Sequence, residues 1–143
     1  MSVCLLDANV LIALVDPAHI QHDAAHDWFA ATGQASWATC PLTENALLRI
    51  LGNPRYPNCP GTPAVVCTVL AGLKRLPGHV FWPDDVSIAD QALVDASRLL
   101  THGQVTDTYL LALARTHRGK LATFDRRLVT GAVTRGRDAL LVI

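Results

Sequence analysis

Apolar and polar positions along the chain follow two alternating rhythms. Five short apolar runs, "VCLL" at 3–6, "ASWAT" at 35–39, "HVFW" at 79–82, "KLATF" at 120–124 and "ALLVI" at 139–143, have strand length and little alternation, as expected of strands covered on both faces. Between them the period is helical. Helices are predicted from Asn9 to Val15, ending at Asp16-Pro17, and along a stripe of Ile20, Ala24, Trp28 and Ala31, ending at Gly33. Further helices are predicted over Leu42–Leu51, Pro63–Leu76, Ser87–Leu100 and Thr106–His117. The stretch "GNPRYPNCPG" at 52–61 is the one clear loop. Strands separated by helices predict the α/β class, with a parallel sheet, in a single domain over residues 1–143. Ligands of such sheets bind beyond the carboxyl ends of the strands.

Composition narrows the picture. With 143 residues, 50% of them apolar and 17% charged, there is enough material for one layered core. No apolar run approaches the roughly 18 residues that span a bilayer, and Met-Ser-Val at the start lacks the basic residues of a signal peptide. A soluble, cytoplasmic protein without membrane attachment is expected. Cys4, Cys40, Cys59 and Cys67 show no C-x-x-C spacing, which predicts buried free thiols. The net charge is zero but unevenly spread: from Arg115 to Arg137 seven basic residues face the single Asp125, whereas residues 1–114 carry ten acids and five basics. This asymmetry predicts a basic rim beside an acidic patch.

Most of the twelve acids have an ordinary explanation. Asp16 belongs to a helix-ending turn, Asp23 and Asp27 to a solvated helix face, and Asp84 and Asp85 to a loop after Pro83. Asp90 follows Ser87 at capping-box spacing, Asp95 has Arg98 at i+3, and Asp138 lies in the "RGRD" turn. Four acids resist this sorting. Asp7 and Asp125 end apolar strands. Glu44, followed by Leu48 and Leu51, and Asp107, followed by Leu110, Leu111 and Ala114, lie on the apolar faces of their helices. Three of them have an individual structural explanation, a helix cap for Asp7 or Asp125 and a helix dipole for Asp107. For all four together the simplest compensation is a divalent cation, because two carboxylates about 5 Å apart repel by about 3 kcal/mol at an effective dielectric near 20. Hard oxygen donors point to Mg²⁺ or Mn²⁺.

The segments "LLDANVLIAL", "PLTENALLRIL", "VTDTYLLALA" and "LATFDRRL" together resemble the PIN-domain ribonucleases, in particular the VapC toxins of bacterial toxin–antitoxin pairs. The resemblance runs over essentially the whole chain. It implies a three-layer α/β/α sandwich with a five-stranded parallel sheet, and a metal-dependent endoribonuclease that cuts single-stranded regions of RNA. By position, Asp7, Glu44, Asp107 and Asp125 match the family's catalytic, metal-holding quartet, and Asn9 and Thr123 match small polar residues that orient it. Thr108 follows Asp107 where some relatives have a further acid nearby, which leaves one or two metals open. Arg126 and Arg127 are placed to meet RNA phosphates beside acids that would repel them. The family also implies a homodimer inhibited by a VapB-type antitoxin.

Other readings have weaker support. "HDAAH", from His22 to His26, imitates the zincin H-E-x-x-H, but Asp23 replaces the general-base Glu and no third ligand stands out. A haloacid-dehalogenase-type phosphatase requires D-x-D where this chain has "DAN". A catalytically silent PIN-like module that binds RNA or protein is the alternative from another class, and the presence of all four acids speaks against it.

Overall fold

The computed structural model describes residues 2–143. Five parallel strands, β1 (Cys4–Leu6), β2 (Trp37–Thr39), β3 (His79–Phe81), β4 (Lys120–Thr123) and β5 (Leu140–Val142), form one sheet in the order β3-β2-β1-β4-β5. All five coincide with the predicted apolar runs. The chain moves outward from β1 through β2 to β3 and then returns to the other side of β1. The switch point of the topology therefore lies between β1 and β4, and the carboxyl ends of strands at such a point are where sheets of this kind bind ligands.

Side-chain alternation along the strands separates two apolar cores. Leu5 and Leu121 face one core, while Leu6 and Ala122 face the other. On the Leu6 side lie α1 (Ala8–Val15), α2 (His22–Ala31), α3 (Pro41–Leu51) and α4 (Pro63–Lys74), which contribute Val10, Leu11, Phe29, Leu47, Leu51, Val66 and Leu70. On the other side α5 (Val105–Thr116) buries Leu110, Leu111 and Leu113 against Leu5 and Leu121. The result is the three-layer α/β/α architecture with a parallel sheet.

Two helical expectations need correction. Residues 87–100 form no α-helix; they are a chain of turns with a short 3-10 segment, Ala96–Arg98. Polar side chains compete successfully for the backbone donors: Ser87 Oγ accepts from the Ala89 N–H, Asp90 Oδ1 from Ala92, and Asp95 Oδ1 from Ser97. An antiparallel bridge between Val94 and Val133 then fixes the segment to the loop before β5. The second correction concerns α2. Ile20 precedes it and is 96% exposed, and the buried residues are Ala25 and Phe29; of the predicted Ile20/Ala24/Trp28/Ala31 stripe only Trp28 is partly buried.

The helix turns this way because its histidines close the end of α1. His22 Nδ1 lies 2.7 Å from the Ala13 carbonyl oxygen and His26 Nε2 lies 2.9 Å from that of Leu14, two acceptors that α1 leaves open at its carboxyl end. "HDAAH" is thus a helix-to-helix cap. The Asp16 turn is reinforced likewise: its carboxylate accepts from the Ala18 N–H and from the Tyr56 hydroxyl, which ties the 52–61 loop to α1. The cysteines are all free, as expected, but Cys67 is exposed and only Cys40 is buried. No helix among the described residues is long and apolar enough to cross a membrane.

Candidate active site

Parallel pairing of β1 with β4 sets Leu6 beside Ala122, so the residues that follow, Asp7 and Thr123 to Asp125, meet at the switch point. Asp7 is the N-cap of α1 and its Oδ1 accepts from the Ala8 N–H at 2.7 Å. Its other oxygen, Oδ2, accepts from Thr123 Oγ1 at 2.8 Å. Thr123 in turn accepts from Asn9 Nδ2 at 3.0 Å and from the Asp125 N–H at 3.1 Å. Asn9 Oδ1 accepts from the Phe124 N–H at 3.2 Å. Asn9 and Thr123 therefore lock the ends of β1 and β4 together and aim Asp7.

The cap explanation for Asp7 is correct as far as it goes, and the electrostatics show where it stops. Asp7 is only 8% exposed. Burial pushes its carboxyl above the ordinary value and Asp125 adds to the rise, against the hydrogen bonds from Thr123 and Ala8. Asp107, in the first turn of α5, is pushed up to about 6 by burial first and then by Asp7 and Asp125. The helix dipole favours an ionised Asp107, and it does not offset those effects. Asp125 itself is exposed, with Oδ1 accepting from the Arg127 N–H at 2.8 Å. None of the three carboxylates takes part in an ion pair among the described residues.

Glu44 has different surroundings. It lies in the first turn of α3, which Pro41 and the Cys40–Thr43 capping interactions start at the carboxyl end of β2. Its Oε2 is 2.8 Å from Lys74 Nζ and accepts from Thr39 Oγ1 at 2.6 Å. The structure thus brings Asp7, Asp107 and Asp125 into electrostatic contact and gives Glu44 a cation of its own. Thr39, Lys74 and His79, which stands 2.8 Å from the Thr39 hydroxyl, escaped the sequence reading. Thr39 at least carried a signal, as a polar residue ending an apolar strand at the same edge as Asp7.

The basic segment divides. Arg115, Arg118 and Lys120 surround a cleft with Ser2 and Asp138 at the amino edge of the sheet, remote from the acids. Arg126 and Arg127 follow Asp125 at the carboxyl edge, and both are exposed. A continuous basic rim beside the acids is not formed.

The profile of the PIN domain matches residues 4–132. The chain belongs to the PIN-domain family. Ribonuclease VapC44 of Mycobacterium tuberculosis is 43% identical to it over 129 residues, 90% of either chain. Ribonuclease VapC39 of the same organism is 43% identical over 128 residues, 90% of this chain and 92% of its own. Among solved structures, VapC20 of M. tuberculosis, described as a sarcin–ricin loop cleaving toxin, superposes with a TM-score of 0.61 at 12% identity, covering 92% of this chain and 96% of its own. FitAcB of Neisseria gonorrhoeae superposes with a TM-score of 0.65 at 20% identity, covering 98% and 96%. These two likenesses are of fold.

For this PIN domain the donor chemistry fits a hard divalent cation. Asp7, Asp107 and Asp125 lie within one another's field, two of them with raised pKa values, and no protein cation pairs with any of them among the described residues. The same residues hold no ready-made cage of three His, Cys, Asp or Glu ligands.

Proposed function

We propose that this PIN domain is the toxin of a VapBC-type pair, a Mg²⁺- or Mn²⁺-dependent endoribonuclease that cuts single-stranded regions of RNA. It acts in the cytoplasm as a homodimer and is held inactive by a VapB-type antitoxin. The observation that carries the reading is the uncompensated group of Asp7, Asp107 and Asp125 at the switch point of a chain 43% identical to VapC ribonucleases. Asp7, Asp107 and Asp125 would hold the ion, with Glu44 as the fourth acid. Bound there, such an ion would supply neutralisation of the phosphate charge, activation of a water as nucleophile and stabilisation of the leaving oxygen.

The chain's own residues prepare that step. Asp7 is aimed by Thr123 and the Ala8 N–H, so its oxygens need little reorganisation. Asn9 holds the Phe124 backbone and with it the start of the Asp125 turn. Arg126 and Arg127 give the flanking phosphates a positive partner that the acids cannot. Asp125 and part of Asp107 are open to solvent, which suits a polymer laid across the sheet edge.

The test is cleavage of an end-labelled RNA with Mn²⁺ or with EDTA. Wild type should cut only with metal. Asp7→Asn keeps a capping side chain and should lower the rate by about a hundredfold or more while the protein stays folded. Metal-independent cutting, or an Asp7→Asn rate equal to wild type, would sink the proposal. RNA binding without cleavage would identify the silent module.

A further inference from the structure

Glu44 is gripped through one oxygen. Lys74 Nζ and the Thr39 hydroxyl both meet Oε2, at 2.8 Å and 2.6 Å, and His79 Nε2 stands 2.8 Å behind that hydroxyl. Because Thr39 gives its only proton to Glu44, the bond from His79 requires Nε2 to carry a hydrogen. Oε1 takes no hydrogen bond among the described residues. Lys74 is the last residue of α4, and its ammonium also lies 4.8 Å from the centre of the Phe81 ring. Thr39 is fully buried and His79 packs edge-on against buried Trp37. The holder of Glu44 is therefore built into β2, β3 and α4.

We infer that Lys74 is a positioning residue that acts as a resident cation on Glu44, so that a divalent ion must take this carboxylate from the ammonium, or share it, before all four acids can serve. The inference rests on the metal-dependent function proposed above. Its physical basis is the sign of charge. A positive group 2.8 Å from a carboxylate oxygen reduces what that carboxylate gains from a second cation and repels the incoming ion directly. An ion pair that merely held Glu44 ready for metal would have the opposite consequence, because its loss would weaken metal binding.

Titration of Mn²⁺ by calorimetry, without RNA, separates these outcomes. Lys74→Met should lower the Kd for Mn²⁺ by about five- to tenfold, an effect of order one charge at short range. Lys74→Arg, which keeps the charge, should stay within about twofold of wild type. Asp7→Asn should raise the Kd by about tenfold or more. Lys74→Gln repeats the measurement if the Met variant does not fold. Lys74 and Lys120 are the only lysines of the chain, so the side-chain ammonium resonance of Lys74 can also be followed in wild type and should shift on adding Mg²⁺. An unchanged or higher Kd in Lys74→Met, or equal tightening in Lys74→Arg, overturns the inference while a weakened Asp7→Asn leaves the site standing. If Asp7→Asn binds Mn²⁺ as wild type does, the proposed metal site itself fails.

Discussion

Asp107 and Glu44 each lie in the first turn of a helix that begins at the carboxyl edge of the sheet, and each shares a helical face with leucines. Their surroundings differ. Glu44 meets Lys74 and the Thr39 hydroxyl. Asp107 meets Asp7 and Asp125, has neither an ion pair nor a side-chain hydrogen bond among the described residues, and is pushed up to about 6. An inward acid is thus not by itself a sign of strain. What matters is the next charge, and that charge comes from a distant part of the chain: residue 74 for Glu44, residues 7 and 125 for Asp107. The expectation that Glu44 and the other three acids form one repelling group is corrected by this division.

The largest effect expected on stability is at Asp107. Its folded pKa lies above the ordinary value of 3.8, so the folded state holds a proton that the unfolded state has lost between about pH 4 and pH 6. The favourable contribution is complete below the unfolded value and disappears as pH climbs through 6. Asp107→Asn in EDTA should therefore raise stability at pH 8 by about 1 kcal/mol, allowing for solvent screening at this partly exposed site, or roughly 3 °C in Tm. Below pH 4 the two proteins should converge. A variant that melts below wild type at pH 8 would show that Asp107 has a stabilising partner and would end the contrast with Glu44.

Glu44→Gln should move the melting temperature in the opposite direction and by less. The amide keeps an acceptor for Thr39 and loses the charge opposite Lys74, a partly exposed pair worth about 0.5 kcal/mol. A fall of roughly 1–2 °C at pH 8 in EDTA is expected. A rise would mean that repulsion from the other acids outweighs the lysine, and would return Glu44 to their group.

The smallest effect on stability is expected at Arg126 and Arg127. Their side chains make no ion pair with either set of acids among the described residues, so replacing both by Ala should leave Tm unchanged in EDTA. RNA binding should nevertheless weaken, and its dependence on log salt should flatten by about 0.7 per lost phosphate contact. A clear drop in Tm would reveal that these arginines compensate the crowded acids. An unchanged salt slope would remove them from the RNA track.

Much of this arrangement was legible in local pattern. All five strands followed from apolar runs of strand length, because a strand buried on both faces leaves a continuous signal in sequence. Asp7 and Asp125 were legible for a related reason: each stands just past the end of β1 or β4, and in parallel sheets every strand's carboxyl end faces the same edge; Asn9 and Thr123 came only from the resemblance to PIN domains. Local pattern misled at residues 87–100, where helical spacing of apolar residues was overruled by side-chain capping of the backbone and by the bridge to Val133. It misled again at α2, whose facing was chosen by the open carbonyls of α1, a need that exists only once the two helices have met.

The chain by itself therefore determined the class of fold, the edge where chemistry gathers and the four acids worth asking about, since periodicity and chain order are local properties. Only the tertiary structure decided which acids share a field. It parted the basic segment, leaving Arg126 and Arg127 at the acidic edge while Arg115, Arg118 and Lys120 went to the other. It also gave Glu44 a lysine thirty positions away and left Asp7, Asp107 and Asp125 to one another. The reason is physical: a Coulomb interaction depends on distance through space and on the dielectric around it, and neither is a property of sequence separation.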